Sequence, residues 1–140
     1  MDKLEQSQSK HSYLENQYGE FWIEDGIIVE VFKPTIKNIS LEIAVMMVSD
    51  RLKISNGVTM PLFVDLNNAS SIDLNAREFF SAGDSLKYVS ASAFLLHNYI
   101  HWLGGKLFLS INRPKTRIEF FRIRGKAMKW LKNYRTEMLN

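Results

Sequence analysis

Apolar positions recur along the chain in two rhythms. Glu20-Phe21-Trp22-Ile23-Glu24 alternates, Asp25-Gly26 follows, and Ile27-Ile28-Val29-Glu30-Val31-Phe32 is β-branched and strand-like. Asp-Gly between two such runs predicts a hairpin with a type I′ turn, because both central positions need positive φ. In the second strand Ile27, Val29 and Val31 share one face. The rhythm then changes. Leu41, Ala44, Val45, Val48 and Leu52 form a helical stripe, with Ser40 placed to cap its start and Asn56-Gly57 to stop it. Pro61-Leu62-Phe63-Val64-Asp65-Leu66 is continuous rather than alternating, as in a strand buried on both faces of a parallel sheet.

The second half repeats this alternation of strand and helix. Asp73 sits at the N-cap of a helix striped by Ala76, Phe79, Phe80, Gly83 and Leu86. Gly83 weakens that helix by roughly 1 kcal/mol relative to Ala, which suggests close packing there. Ala91 to Leu96 reads as a buried strand. A helix over Tyr99–Ile111 follows, with Ile100, Leu103, Leu107 and Ile111 in line and Gly104-Gly105 as a weak point or kink. Arg117 to Ile123 reads as a last strand and about Lys126 to Met138 as a last helix. The order β-β-α-β-α-β-α-β-α predicts an α/β domain. Its mixed, mostly parallel sheet would have about five strands, covered by four helices.

Composition changes this picture little. The chain has 140 residues, 46% hydrophobic and 24% charged, with nine Phe, five Tyr and three Trp. That supports one packed domain and excludes disordered or collagen-like chains. The expected division is a polar tail over residues 1–12 and one domain over 13–140, since Met1 to Ser12 lacks apolar residues to offset ordering entropy. Zero Cys excludes disulfides and thiolate chemistry. No stretch reaches the ~18 apolar residues of a membrane span, and the N-terminus lacks the apolar core of a secretory signal. The expected location is the cytoplasm. The charge adds more. Residues 1–104 carry 8 basic and 13 acidic side chains, net −5, and residues 105–140 carry 10 basic and 2 acidic, net +8. An acidic body therefore bears a basic C-terminal strand and helix.

The element order and the string Val64-Asp65-Leu66-Asn67-Asn68-Ala69-Ser70-Ser71-Ile72-Asp73-Leu74-Asn75-Ala76 resemble the STAS superfamily, the fold of the sporulation anti-sigma-factor antagonists. The resemblance covers about residues 18–135. Such antagonists carry a strand ending in Asp-Leu, then a helix opened by Asp-Ser-Ser-Gly, whose second serine is phosphorylated. Asp65 and Asp73 stand at the matching places. Asn75 replaces the phosphoacceptor serine and Ala76 the glycine. An amide has no hydroxyl to attack a γ-phosphate, so the resemblance implies a domain without the serine switch. Ser70 and Ser71 lie upstream, in the loop, and are not equivalent. Phe21-Trp22-Ile23-Glu24-Asp25-Gly26-Ile27 and Ala127-Met128-Lys129-Trp130-Leu131 are similar to strings of uncharacterised single-domain bacterial STAS-like proteins, and carry no activity across.

The candidate sites follow. His97 and His101 have the spacing of a zincin pair, but Asn98 lies where the general base belongs and no third ligand is evident, since His11 falls in the tail. Asp65 at a parallel-strand end is placed like a catalytic acid, yet no triad, phosphate loop or paired carboxylate accompanies it. Its plainer role is to accept loop amide hydrogen bonds. No cofactor or metal is implied. Asp65, Asp73, Asn75 and Arg77 form the candidate partner surface. On the last helix Lys126, Lys129 and Lys132 lie opposite an arc of Ala127, Trp130, Leu131, Tyr134 and Met138, with Arg113, Lys115, Arg117, Arg122 and Arg124 before them. That is a candidate polyanion surface for nucleic acid or acidic lipid, or else a solvated helix face.

The leading expectation is thus a non-enzymatic regulatory module that meets another protein, with a homodimer as a further option. Two alternatives are polyanion binding through the lysines and binding of a small apolar ligand between sheet and helices.

Overall fold

A computed structural model describes residues 12–111 and 116–135. The expected tail up to His11, together with Arg113, Pro114, Lys115 and Met138, lies outside the described residues. The first four strands are β1 (Tyr13–Glu15), β2 (Gly19–Glu24), β3 (Ile27–Phe32) and β4 (Asn38–Ile39). Then come α1 (Leu41–Ser55), β5 (Met60–Asp65), β6 (Ser71–Ile72), α2 (Leu74–Phe80) and a 3-10 turn over Gly83–Leu86. The chain continues through β7 (Val89–Leu95), α3 (Tyr99–Ile111), β8 (Arg117–Phe121) and α4 (Arg124–Lys132).

The main sheet has six strands in the order β1-β2-β3-β5-β7-β8. β1–β2 and β2–β3 are antiparallel, and β3–β5, β5–β7 and β7–β8 are parallel. The mixed, mostly parallel α/β architecture is as the periodicity predicts. The strand count differs from five. β1 adds an outer strand, and β4 pairs with β6 in a separate two-stranded sheet. These pieces span two or three residues, too few to show a period.

The local signals hold where backbone geometry dictates them. Asp25 and Gly26 have φ of 53° and 77°, the positive values the hairpin turn needs. The Ser40 Oγ accepts from the Ile43 N–H at 3.3 Å, and Asn56 closes α1 with φ 49°.

Three helices cover one face of the sheet and one covers the other. Phe21, Ile28, Leu62, Val64 and Phe94 pack toward α1, α2 and α3. Ile27, Val29, Phe63, Ala93 and Leu95 pack toward Ala127, Met128 and Leu131 of α4. Residues of β5 enter both clusters, as a strand buried on both faces must.

Three helical stripes are corrected. In α1 the buried arc is Ala44, Met47, Val48, Arg51 and Ile54, while Leu41 and Val45 are exposed. Hydropathy misses this arc because a buried arginine sits in its middle. α2 ends at Phe80, so its stripe does not run on to Leu86. Gly83 has φ +61° and no heavy atom within 4 Å of an added β-carbon, so backbone conformation rather than close packing explains it. In α3 the expected stripe points outward: Ile100 is 69% and Ile111 80% exposed, and Leu103 and Leu107 are exposed too. The partly buried face carries Trp102, Gly105 and Leu109 instead. The helix runs unbroken through Gly104-Gly105. The last strand is shorter than expected, ending at Phe121, and α4 starts earlier, at Arg124.

Candidate functional site: a cleft at the strand ends

Because β5, β7 and β8 are parallel, their C-terminal ends lie at the same end of the sheet, where the crossover loops gather. Side-chain amides tie these loops down. The Asp65 carboxylate accepts from the Asn67 N–H at 2.9 Å and shapes the turn after β5. The Asn67 carbonyl Oδ1 accepts from the His97 N–H at 2.7 Å, joining the loops after β5 and β7. Asn68 Nδ2 donates to the Phe32 carbonyl at 2.8 Å. His97 Nδ1 lies 2.7 Å from the Arg122 carbonyl, and Arg122 Nε donates back to the His97 carbonyl at 3.2 Å.

Over these loops α2 and α3 stand apart and leave a cleft of about 240 Å³. Its floor is Phe94 and Leu96 of the β7 region and Ile118 and Phe120 of β8. Phe94 stacks on Phe120 at a 5.3 Å centroid separation, and Phe80 of α2 meets Phe94 at 6.4 Å. One wall is Arg77, Phe80 and Ser81; the other is Ile100, His101, Gly104, Gly105, Phe108 and Leu109 of α3. Leu66, Ala69, Ser70, Ser71 and Ile72 close the end.

α3 is anchored to β8 by three devices. Trp102 Nε1 donates to the Phe120 carbonyl at 3.0 Å, Lys106 pairs with Glu119, and Gly105 lies against the Phe120 ring. A polar annex adjoins the cleft and shares Ser70 and His101 with it; Asn67, His97 and Asn98 complete its polar lining.

The structure separates the residues that the sequence groups together. Asp65 is half-buried and belongs to a loop-shaping turn rather than to the cleft. Asp73, Asn75 and Arg77 are exposed around the start of α2, and of these Arg77 lines the cleft. Asp73 occupies the N-cap, but its side chain makes no capping hydrogen bond. His97 precedes α3 and only His101 lies on it, so the pair does not share a helix face. Among the described residues no three His, Asp or Glu side chains come together to hold a metal.

Lys126, Lys129 and Lys132 are exposed, opposite buried Ala127 and Leu131, as the helical wheel predicts. Other basic groups are occupied. Arg117 lies 5.7 Å from the Tyr134 ring centroid and Arg122 5.4 Å from that of Tyr99, while Arg124 pairs with Glu24 at 3.1 Å. The sequence reading overlooks Gly105 and Phe120 as site-makers. A glycine mid-helix facing an aromatic strand was the available signal.

A second feature lies outside the cleft. Glu30 of β3 is 1% exposed and Arg51 of α1 2% exposed. Burial pushes the Glu30 carboxyl up to about 7 against the opposing pull of the Arg51 guanidinium. Arg51 Nη2 donates to the Ser85 carbonyl at 2.6 Å, whereas Glu30 Oε1 has no hydrogen-bond partner.

The chain belongs to the family described as Domain of unknown function (DUF7793), whose model matches residues 21–135. It is also similar to the crystal structure of an uncharacterized protein from Shewanella loihica PV-4, of the DUF3478 family with a SpoIIAA-like fold. The two share 13% identity with a TM-score of 0.51, over 85% of this chain and 90% of that one. That likeness shows a STAS-like fold. No curated protein matches the chain. No helix among the described residues is long and apolar enough to cross a membrane.

Proposed function

We propose that this STAS-like family member is a non-enzymatic module that binds a small, largely apolar molecule in the cleft between α2 and α3. One observation carries the reading. A cleft floored by buried Phe94 and half-buried Phe120 opens between two helices at the C-terminal ends of parallel strands, the position where α/β sheets take ligands. The apolar floor favours a hydrophobic body, and the serine, amide and imidazole groups around it orient the polar end. At about 240 Å³ the cleft lies just below the roughly 300–1,000 Å³ of drug-sized sites, the scale of a short apolar chain.

Gly104 provides the test. It lines the cleft, and nothing lies within 4 Å of a β-carbon added there. Gly104→Trp therefore fills the mouth without disturbing the core. Calorimetric titration with eight-carbon probes should show saturable binding that this variant abolishes while its unfolding midpoint holds. Heats equal in both proteins, or no saturation with any probe, would remove the proposal.

A protein partner is the second reading, favoured by Leu74. This apolar side chain is 62% exposed beside Asp73, Asn75 and Arg77 at the start of α2. A partner seated there would sit at the lip of the cleft, so occupancy and association would be coupled. Cross-linking from position 74 that captures no defined protein would count against it.

A further inference from the structure

We infer that the ligand of the cleft is an anionic amphiphile, a monocarboxylate on a short apolar chain; this rests on the ligand-binding reading above. The inference comes from the charge of the lining rather than its shape. Among the described residues that line the cleft the ionisable ones are Arg77 and His101, and no carboxylate faces it. The adjoining polar annex also lacks a carboxylate; its polar groups are Asn67, Ser70, His97, Asn98 and His101. The absence is notable because residues 1–104, which supply most of the lining, carry an excess of acidic side chains.

The two ionisable residues suit one head group. No ion pair in the described structure uses Arg77, in contrast to Lys33, Lys53, Lys106 and Arg124, each of which has a carboxylate partner. Its planar guanidinium presents parallel N–H donors that match a carboxylate. The His101 ring adds a further donor from the opposite wall. Ser70 offers a hydroxyl to the head group, while Ser71 and Ser81 already donate theirs, to Asn38 Oδ1 at 2.7 Å and to the Glu78 carbonyl at 3.0 Å. An ammonium head would meet the Arg77 cation and no carboxylate to offset it, and would bind less well. The chain of the ligand then lies over Phe94 and Phe120, where only apolar contact is on offer.

Three probes of equal length separate the head from the body: octanoate, octanol and octylamine, each kept below its aggregation limit. Calorimetric titration should rank octanoate first, octanol about ten-fold weaker, and octylamine weakest. The ratio reflects the charge-assisted hydrogen bonds that only the carboxylate gains. Arg77→Met should weaken octanoate about ten-fold and octanol by clearly less, because only the carboxylate gains charge-assisted bonds; Arg77 is exposed, so its replacement keeps the fold. If octanol matches octanoate in the natural protein, the inference is overturned while the ligand-binding reading stands. Tighter binding of octylamine has the same meaning. Failure of all three probes overturns both.

Discussion

Gly105 of α3 lies so close to Phe120 of β8 that a β-carbon added to the glycine would come within 2.6–2.8 Å of three ring atoms. The helix can approach the sheet there only because the side chain is missing. Its neighbour Gly104 faces open space. The two glycines are therefore predicted to respond oppositely to the same substitution. Gly104→Ala should stabilise the protein by about 1 kcal/mol through helix propensity. Gly105→Ala sets the same gain against overpacking of roughly 1–3 kcal/mol, and should come out neutral to destabilising. Denaturant unfolding of both variants checks this, and equal stabilisation of the two would refute it.

Glu30 makes stability depend on pH in an unusual direction. Its folded-state pKa of about 7 lies above the ordinary 4.5, so the native chain holds more protons than the unfolded chain in that window. Its contribution is fully present below about pH 4.5 and is lost as pH rises through about 7. The loss is on the order of 3 kcal/mol. Glu30→Gln removes this titration. The stability difference between the variant and the natural protein should therefore shift toward the variant from pH 4.5 to pH 7. A difference that stays flat across that range would contradict the assignment.

Helix α3 should be the least protected helix in hydrogen exchange. None of its residues is fully buried, whereas α1 buries Ala44, Met47, Val48, Arg51 and Ile54. Local opening is cheapest where little surface is buried. Amides of Leu103 to Ser110 should exchange well before those of α1, and octanoate should slow them. Equal protection in the two helices would argue that α3 is held by more than its contacts with β8.

The outer face of α4 carries the charge reading from the sequence to a test. Lys126, Lys129 and Lys132 are exposed, so changing all three to Glu should leave stability within about 0.5 kcal/mol per site. Retention on heparin should fall in proportion at low salt. Retention that survives the triple change would place any polyanion contact elsewhere on the molecule.

Legibility from sequence followed the physics of each signal. The Asp25-Gly26 turn, the Ser40 cap and the Asn56 stop are backbone requirements satisfied within a few residues, and all three stand in the structure. The parallel strands were legible because burial on both faces leaves an uninterrupted apolar run. The helix faces were not. α3 is apolar on nearly every side, so periodicity could not say which side meets the sheet. The buried face of α1 is centred on Arg51, which hydropathy counts as surface. The cleft is a gap between elements distant in sequence, and the chain records it only as Gly105 and a scattering of aromatics. The sequence groups Arg77 with Asp65, Asp73 and Asn75 as a partner surface; only the fold puts it on the cleft wall.

The outermost strand of the sheet has a consequence for self-association. An unpaired strand edge is a template on which another chain can extend the hydrogen-bond ladder. Among the described residues that edge is β1, three residues long, and its last residue Glu15 is paired with Lys33 at 3.6 Å. So short a rung set, ending in charge, gives a second copy little to zip onto. The brevity that hid β1 from sequence patterning also blunts the sheet against edge-to-edge aggregation on that side.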